Sequence, residues 1–367
     1  MTNPIKQHYI PKSYLKNFAL EGKKKKQFVD IYKLDDDILI ESINTKDICY
    51  KKNIYTIPSD SNDTKYALEK HYAENVDSEF PKIYKLLIDE NIVEITTEQK
   101  RQILYVFLSL YFRTPKILNL QNELNNELFD TAAHTLDKEG IIKIDFFGQK
   151  MKFHIDQIEQ VKKDYSERAR LAFIVNHLEQ WSQFVKYKYD CTINIIKIND
   201  VNAPLITSDN PVIIRHYKTN KFQGLFDPNS VITIPLDKSH FIEIHPNKYA
   251  DGQARINRIT QDCDYVFTTN AMTQENAEML LIGYKGTIDK HFQIQNKYED
   301  PDNGEEILKK NKYRAEQATA LFEILKKKGF VSREFIGKLK ELIAHPYCKD
   351  DIQILKYKRM LSKMGKW

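Results

Sequence analysis

One segment near the N-terminus decides how the fold is interpreted: Gln7-His8-Tyr9-Ile10-Pro11-Lys12-Ser13-Tyr14-Leu15-Lys16-Asn17-Phe18. Its aromatic and aliphatic side chains are typical of a segment anchored to a hydrophobic core. His8 therefore stands in a rigid apolar frame, and an imidazole with an ordinary pKa of ~6.5 suits proton transfer or metal ligation. The alternative is a histidine whose hydrogen bonds only pin the N-terminus to the core.

A second segment far along the chain carries the next candidate: Thr207-Ser208-Asp209-Asn210-Pro211-Val212. Proline disfavours a helical conformation at the residue before it, so Asp209 is expected where a strand meets a turn. Side chains at such positions often project into clefts. The alternative is an Asx-turn in which the Asp209 carboxylate binds its own backbone.

Together, the two segments resemble those of a widespread bacterial family known only as a domain of unknown function, number 4238. The resemblance runs from Gln7 to Gly283 and includes paired glutamates, an Arg-Thr-Pro element that begins at Arg113, and a late helix that contains Asn270. It implies a shared fold. It supplies no established activity, so the chemistry has to be argued from the residues.

Composition favours a globular α+β protein. The chain has 367 residues, 41% hydrophobic and 29% charged, and only 11 Gly and 12 Pro, which argues against folds built from many tight turns. Apolar residues follow a helical period over much of 65–186, and short β-rich stretches begin near residue 190. We therefore predict a central helical region packed with a mostly antiparallel or mixed sheet, plus a C-terminal helical extension.

Charge is distributed unevenly along the chain. Residues 301–367 contain 16 Lys and Arg against 9 Asp and Glu, whereas the other 300 residues are close to neutral. We predict an α+β core domain over residues 1–286 and a basic helical extension over residues 287–367. Such an extension suits contact with a nucleic acid. The alternative is a solvated helical surface, with cations at helix ends that favour the macrodipole.

Several local patterns give sharper expectations. Phe28–Lys33 and Ile38–Ile40 predict a hairpin. A mostly buried helix is predicted from Thr97 to Phe112, with a break at Thr114-Pro115. Residues 270–281 are predicted to form one further helix.

The apolar stretches, such as 103–112, are shorter than the ~20 residues that a membrane span needs. The four cysteines are isolated in sequence, which favours reduced thiols over a disulfide or zinc framework. We expect a cytoplasmic protein with no membrane partner.

Two glutamates and one arginine complete the candidate set. Glu69 and Glu79 lie ten residues apart, about 2.8 helical turns, so both would share a face of a continuous helix. They resemble the paired glutamates of the family. Arg113 ends a nearly apolar helix, where an unpaired guanidinium would cost several kcal/mol. It therefore needs a carboxylate or phosphate partner, and an internal salt bridge to Glu69, Glu79 or Asp209 is the alternative to a substrate.

If these residues converge, the site holds an imidazole, carboxylates and a guanidinium. That set suits phosphodiester hydrolysis, in which carboxylates and histidine serve a metal or a base, and arginine binds the phosphate charge. The predicted catalytic residues are His8, Glu79, Arg113 and Asp209. The candidate ligands for Mg²⁺ or Mn²⁺ are Glu69, Glu79 and Asp209, and the candidate substrate-binding residues are Gln7, Tyr9 and Asn210.

Other functional classes are weakened or remain as alternatives. Phosphate-binding GxxxxGK[ST], dinucleotide-binding GxGxxG and zinc-protease HExxH motifs are missing from the sequence. Arg170 and His177 resemble the short Arg-x6-His motif of metal-independent HEPN ribonucleases. A non-catalytic binding module and a small-molecule sensor are the remaining alternatives. A structural network would be closed and fully paired, whereas catalytic residues must reach a pocket.

Overall fold

The computed structural model describes residues 6–146, 149–246, 254–299 and 301–367. These residues form an α+β fold with a central helical layer, two mostly antiparallel sheets and C-terminal helices, as predicted. No helix among them is both long and apolar enough to cross a bilayer.

The N-terminal region is built from short elements. They are β1 (Lys6–His8), α1 (Lys12–Leu15), β2 (Leu20–Glu21), β3 (Gln27–Lys33), β4 (Ile38–Asn44) and β5 (Tyr50–Lys52). Strands β1 and β5 pair antiparallel, with His8 opposite Tyr50. Strands β3 and β4 form the predicted hairpin.

Helices dominate the middle of the chain. They are α2 (Asn62–Lys65), α3 (Ala67–Tyr72), α4 (Phe80–Ile88), α5 (Thr97–Arg113), α6 (Lys116–Ala133) and α7 (Ile158–Lys188). A π-helical turn, Ala73–Asp77, connects α3 to α4. Helix α5 begins with a capping box between Thr96 and Gln99 and ends at Arg113, which confirms the predicted break at Thr114-Pro115.

A hairpin interrupts the helical layer. Strands β6 (Ile141–Phe146) and β7 (Gln149–His154) pair antiparallel between α6 and α7. Helix α7 then packs along both α5 and α6. The apolar faces of these helices meet β3 and a later strand, β8 (Thr192–Ile198), in one continuous core. This core includes Phe107, Trp181 and Ile193.

The second half of the chain supplies most of the sheet structure. Its elements are β8 (Thr192–Ile198), β9 (Thr207–Ser208), β10 (Ile213–His216), β11 (Ser230–Pro235), β12 (His240–His245), β13 (Ile256–Gln261), α8 (Cys263–Asn276) and β14 (Leu280–Gly283). The predicted helix over 270–281 is therefore wrong at its end, where the chain leaves α8 and enters strand β14.

Two five-stranded sheets result. The β8 sheet has the order β10-β11-β12-β8-β13 and is antiparallel except for β13, which runs parallel to β8. The β3 sheet joins β2, β3, β14 and β9, with β4 on the other edge of β3. Strand β14 thereby links the Asp209 segment to the N-terminal hairpin.

The chain ends in α9 (Thr287–Glu299), α10 (Pro301–Lys328), α11 (Arg333–Ala344) and α12 (Ile352–Lys363). Helices α10 to α12 share a core of their own around Phe335, Leu339 and Leu361. Arg314 of α10 donates to Asp262 at 2.7 Å, and α12 packs against β13, the edge strand of the β8 sheet. The extension is thus attached to the body along that edge.

Candidate functional site

Arg113, at the end of α5, lies at the centre of a buried polar cluster. Its side chain is 1% exposed. One terminal nitrogen donates to Asp77 Oδ1 at 2.5 Å and the other donates to the backbone carbonyl oxygen of His8 at 2.8 Å. The guanidinium carbon also lies 4.2 Å from the centre of the Tyr72 ring. Arg113 therefore joins the N-terminal segment to the α3–α4 region.

The carboxylate that pairs with Arg113 is Asp77, and the π-helical turn explains why it is not Glu79. A regular α-helix rotates by ~100° per residue. Viewed along the helix axis, Asp77 would then point ~80° past the direction of Glu69, and Glu79 would point ~80° short of that direction. A π-helix makes i→i+5 hydrogen bonds, so each residue advances by less than in an α-helix. The turn Ala73–Asp77 therefore rotates Asp77 toward Glu69 and Glu79 away from it.

Glu69 faces the same arginine without a direct ion pair. Burial raises the pKa of Glu69 to about 7, opposed by the positive charge of Arg113 and reinforced by the negative charge of Asp77. Its Oε2 atom is buried and has no hydrogen-bond partner in the described part of the chain. A carboxyl with a pKa near neutrality exchanges protons readily at physiological pH.

His8 and Lys12 form the outer side of this cluster. His8 is half-buried, and its Nε2 atom lies 3.1 Å from the Lys46 carbonyl oxygen, so Nε2 carries the proton and Nδ1 the lone pair. Burial and then the positive charge of Lys12 lower the pKa of His8. Lys12 is exposed and also interacts electrostatically with Glu69. The cluster therefore has a cationic edge toward solvent.

Hydrogen bonding within the cluster is incomplete. Besides Glu69 Oε2, three of the buried atoms that lack a partner within the described ranges belong to this neighbourhood: Arg113 Nε, the Tyr72 hydroxyl and His177 Nε2. The Tyr72 ring stacks on His177 at 5.9 Å, which places these atoms in one neighbourhood. We call His8, Glu69, Tyr72, Asp77 and Arg113 the arginine cluster. Unpaired buried polar atoms are rare in native proteins, and several in one place indicate a site for water or a ligand.

Asp209 lies elsewhere, in a more completely paired arrangement. Its side chain is buried, with Oδ1 accepting from the backbone N–H of Glu278 at 2.9 Å and Oδ2 from that of Met279 at 3.0 Å. Its own N–H donates to the Leu280 carbonyl oxygen at 3.1 Å. Burial raises the pKa of Asp209 to about 6, although those backbone bonds oppose the shift. The carboxylate holds the turn between α8 and β14.

Asn210 strengthens the same turn. Its Nδ2 atom donates to the Asn276 carbonyl oxygen at 2.7 Å, and Asn276 Nδ2 returns a bond to the Asn210 carbonyl oxygen at 2.6 Å. In this turn, the buried Asn210 Oδ1 atom has no partner among the residues described. We call Asp209, Asn210, Asn276 and residues 278–280 the Asp209 turn.

The other two predicted substrate-binding residues, Gln7 and Tyr9, are buried. Gln7 accepts from the Tyr55 N–H at 2.7 Å and donates to Thr56 at 3.1 Å, which fixes the segment after β5. The Tyr9 hydroxyl bonds the Cys49 thiol and interacts electrostatically with Asp209. His8 and Tyr9 thus face the arginine cluster and the Asp209 turn, respectively.

The three predicted metal ligands are not brought together. Glu69 lies in the arginine cluster, Asp209 in the Asp209 turn, and Glu79 pairs with Lys82 at 2.8 Å. Across the ranges that the structure describes, no group of three or more His, Cys, Asp or Glu side chains is arranged to hold a metal ion. The predicted set of four catalytic residues is likewise divided, with His8 and Arg113 together and Glu79 and Asp209 apart.

The two residues of the alternative Arg-x6-His motif, Arg170 and His177, make separate contacts in the structure. Arg170 pairs with Glu167 at 2.6 Å and donates to the Thr56 carbonyl oxygen at 2.8 Å. His177 is 2% exposed, with Nδ1 lying 2.9 Å from the Phe173 carbonyl oxygen. Both residues fix α7 to its surroundings, and His177 closes the inner side of the arginine cluster.

Sequence reasoning missed Asp77 and Lys12. Lys12 was within the quoted N-terminal segment and follows Pro11 on the exposed side of α1, so its proximity to His8 was accessible from sequence. Asp77 required knowledge of the π-helical turn, for which the sequence offered no recognised signal.

Comparisons with known proteins identify the family of the chain and give no activity. A family model described as a protein of unknown function (DUF4238) matches residues 6–286. No match was found among curated proteins or among solved structures. The matched range contains both the arginine cluster and the Asp209 turn, and ends immediately before α9. Since the match covers well over half of the chain, this protein is a member of the DUF4238 family of proteins of unknown function.

Proposed function

We propose that this protein is a phosphodiester hydrolase whose site is the arginine cluster together with Lys12. The observation that carries the proposal is the set of unpaired buried polar atoms on Glu69, Tyr72 and Arg113, beside a half-buried histidine and an exposed lysine. A purely structural network is expected to be closed and fully paired. This cluster is not fully paired, and His8 and Lys12 lie on its solvent side.

The residues divide into chemical roles. Lys12 is the exposed cation that meets a phosphate oxygen. His8 Nδ1, which carries a lone pair, accepts a proton from water as its oxygen bonds to phosphorus. Glu69 gives its proton to the departing ester oxygen as the P–O bond breaks. Arg113 positions Asp77 and the His8 backbone, since its two terminal nitrogens already donate to them. Its positive charge also acts on Glu69.

The pKa values of the two proton-transfer groups are consistent with those roles. Burial and Lys12 lower the pKa of His8, so its imidazole is neutral at pH 7. Glu69, with a pKa of about 7, retains a substantial protonated fraction there. A base that titrates below neutrality and an acid that titrates near it give a bell-shaped dependence of kcat/KM on pH.

A cleavage assay tests the proposal. Full-length protein is incubated with single- and double-stranded DNA and with RNA, in EDTA, Mg²⁺ or Mn²⁺. Glu69→Gln and His8→Gln are each expected to lower the rate about 100-fold or more. Glu74→Gln, an exposed neighbour on the π-helical turn, is the matched control and is expected to retain activity. Absence of cleavage in every condition, or equal losses in Glu69→Gln and Glu74→Gln, would overturn the proposal.

The basic extension supports a second candidate, a nucleic-acid-binding module. Residues 301–367 carry an excess of seven positive charges, and α10 to α12 have a hydrophobic core of their own. Binding through phosphate contacts would weaken steeply with salt. Salt-sensitive binding without cleavage by the full chain, weakened by Lys326→Gln and Lys327→Gln together, would favour this candidate over the hydrolase.

A further inference from the structure

A polar cavity that shares no residue with the arginine cluster lies where the β8 sheet meets the C-terminal extension. Its volume is about 120 Å³. The lining includes three cations, one acid and one histidine: Lys197, Arg258, Lys356, Glu90 and His240. With the lysines, arginine and glutamate ionised, the excess is two positive charges before the histidine is counted.

Strand register places three of the lining residues in one row. His240 of β12 is directly opposite Lys197 of β8, and Lys197 is in turn paired with Thr260 of β13. Directly paired residues lie on the same face of a sheet, with Cβ atoms ~5 Å apart. The imidazole, ammonium and hydroxyl groups therefore form a line of hydrogen-bonding groups across the floor of the cavity.

His240 is held in a fixed orientation. Its Nδ1 atom lies 3.0 Å from Asp237 Oδ2, and the same oxygen accepts from the Tyr84 hydroxyl at 2.7 Å. Although burial raises the pKa of Asp237, the bond to His240 and the bond to Tyr84 keep it below the usual value. The Asp237 carboxylate thus accepts a hydrogen bond from the Nδ1–H of His240 and leaves Nε2 as the ring nitrogen that is not bonded to Asp237.

The walls of the cavity come from two different parts of the chain. Arg258 donates to the carbonyl oxygens of Leu87 at 2.7 Å and Ile92 at 2.8 Å, which fixes the end of α4 beside Glu90. Lys356 projects from α12 in the extension and is exposed. Within the described residues, Lys197 pairs with Glu90, and Lys356 has no ion-pair partner. The extension therefore completes the cavity with an uncommitted cation.

We propose that this cavity binds the terminal phosphate group of a small phosphate monoester. A phosphate monoester carries about −1.5 to −2 charges at pH 7 and accepts several hydrogen bonds. Lys356, Lys197 and Thr260 supply donors, His240 adds an Nε2–H donor when its imidazole is protonated, and the charge balance matches. A volume of about 120 Å³ suits one terminal phosphate group and is small for a length of nucleic-acid backbone.

Isothermal titration calorimetry on the full-length protein tests this. Adenosine 5′-monophosphate and inorganic phosphate are the probes, and adenosine is the control ligand. We expect both phosphates to bind and adenosine not to bind. Lys356→Met should weaken the affinity for adenosine 5′-monophosphate about tenfold, since one charge-assisted hydrogen bond is lost.

Matched variants make the outcome decisive. Lys349→Met removes an equally exposed lysine of the extension outside the cavity and is expected to leave the affinity within about twofold. In NMR spectra, the His240 ring signals, assigned from His240→Gln, should shift on addition of phosphate. The proposal is overturned by equal losses in the two lysine variants, by an unmoved His240 signal, or by oligonucleotides without terminal phosphates displacing the bound monophosphate.

Discussion

The arginine cluster and the Asp209 turn each bury a carboxyl group whose pKa is raised, and they differ in how that group is bonded. Asp209 accepts from two backbone N–H groups, while Glu69 keeps a buried oxygen without a partner in the described residues. The same desolvation therefore stabilises a turn in one place and leaves unused hydrogen-bonding capacity in the other. Burial is therefore common to the two regions, and completeness of hydrogen bonding is what distinguishes them.

The two regions are connected through adjacent residues of the N-terminal segment. The His8 backbone binds Arg113, and the Tyr9 side chain lies in the electrostatic environment of Asp209. The turn therefore lies beside the segment that carries His8. Substitutions in and around the two regions test this difference, and their expected effects decrease from Arg113 to Glu79.

The largest effect is expected at Arg113. Arg113→Met leaves Asp77 and the His8 carbonyl oxygen without their donor, and breaking such a buried pair should lower the free energy of unfolding by about 3 kcal/mol. Urea denaturation measures the change. Arg101→Met removes an exposed arginine from the other end of α5, where Arg101 pairs with Glu98, and should cost less than about 1 kcal/mol. Similar losses in the two variants would contradict the buried role of Arg113.

A smaller loss is expected at the Asp209 turn. Asp209→Asn retains one acceptor oxygen and turns an amide N–H₂ toward a backbone N–H, so the free energy of unfolding at pH 8 should fall by about 2 kcal/mol. The substitution should leave the arginine cluster intact, so any hydrolytic activity should persist in the folded fraction. Asp89→Asn, in an exposed turn, is the control. Loss of activity without loss of stability would place Asp209 in the site instead.

The pH dependence of stability separates the two carboxyl groups. Because the folded pKa of Glu69 is raised from 4.5 to about 7, its stabilising contribution is complete below pH 4.5 and is lost as the pH rises through 7. The Gln side chain does not titrate. As the pH rises from 5 to 8, the free energy of unfolding of Glu69→Gln should therefore increase by about 1–2 kcal/mol relative to that of wild type, a range that allows for the partial exposure of Glu69. The corresponding loss of stability from Asp209 ends near pH 6, because burial raises the pKa of Asp209 to about 6. Denaturation curves at four pH values would contradict the assignment if Glu69→Gln ran parallel to wild type.

The smallest effect is expected at Glu79. Its ion pair with Lys82 lies on the surface of the helix, and surface pairs contribute about 0.5 kcal/mol. Glu79→Gln should therefore change the urea midpoint only slightly, and should leave the pH dependence that Glu69 causes. A loss comparable to that of Arg113→Met would show that Glu79 belongs to the cluster.

Local signals in the sequence predicted much of the fold. The hairpin of β3 and β4 follows from its apolar alternation, and the end of α5 follows from Thr114-Pro115. Strand β14 was assigned to a helix because its few apolar residues continue the pattern of α8. Strand β13 was missed because four of the six residues in its sequence, INRITQ, are polar, as suits an edge position.

The kinds of side chain in the candidate site were predictable from the sequence, but the residues that supply them were predictable only in part. An imidazole, carboxylates and an arginine were expected to converge, and His8, Glu69 and Arg113 lie near one another. The second carboxylate is Asp77 because a π-helical turn alters the rotation between positions, and periodicity arguments assume a regular helix. Asp209 is separated because its partners, Glu278 and Met279, are about 70 residues away in sequence. Long-range pairing of that kind leaves no local pattern.

The packing of α12 against β13 has a consequence for colloidal behaviour. An uncovered edge strand offers unpaired N–H and C=O groups to other chains and promotes aggregation. Since β13 is the outer strand of the β8 sheet, the extension shields a surface on which further strands would otherwise assemble. A chain shortened at residue 300 is therefore expected to self-associate, and the extension protects the solubility of the body whatever else it binds.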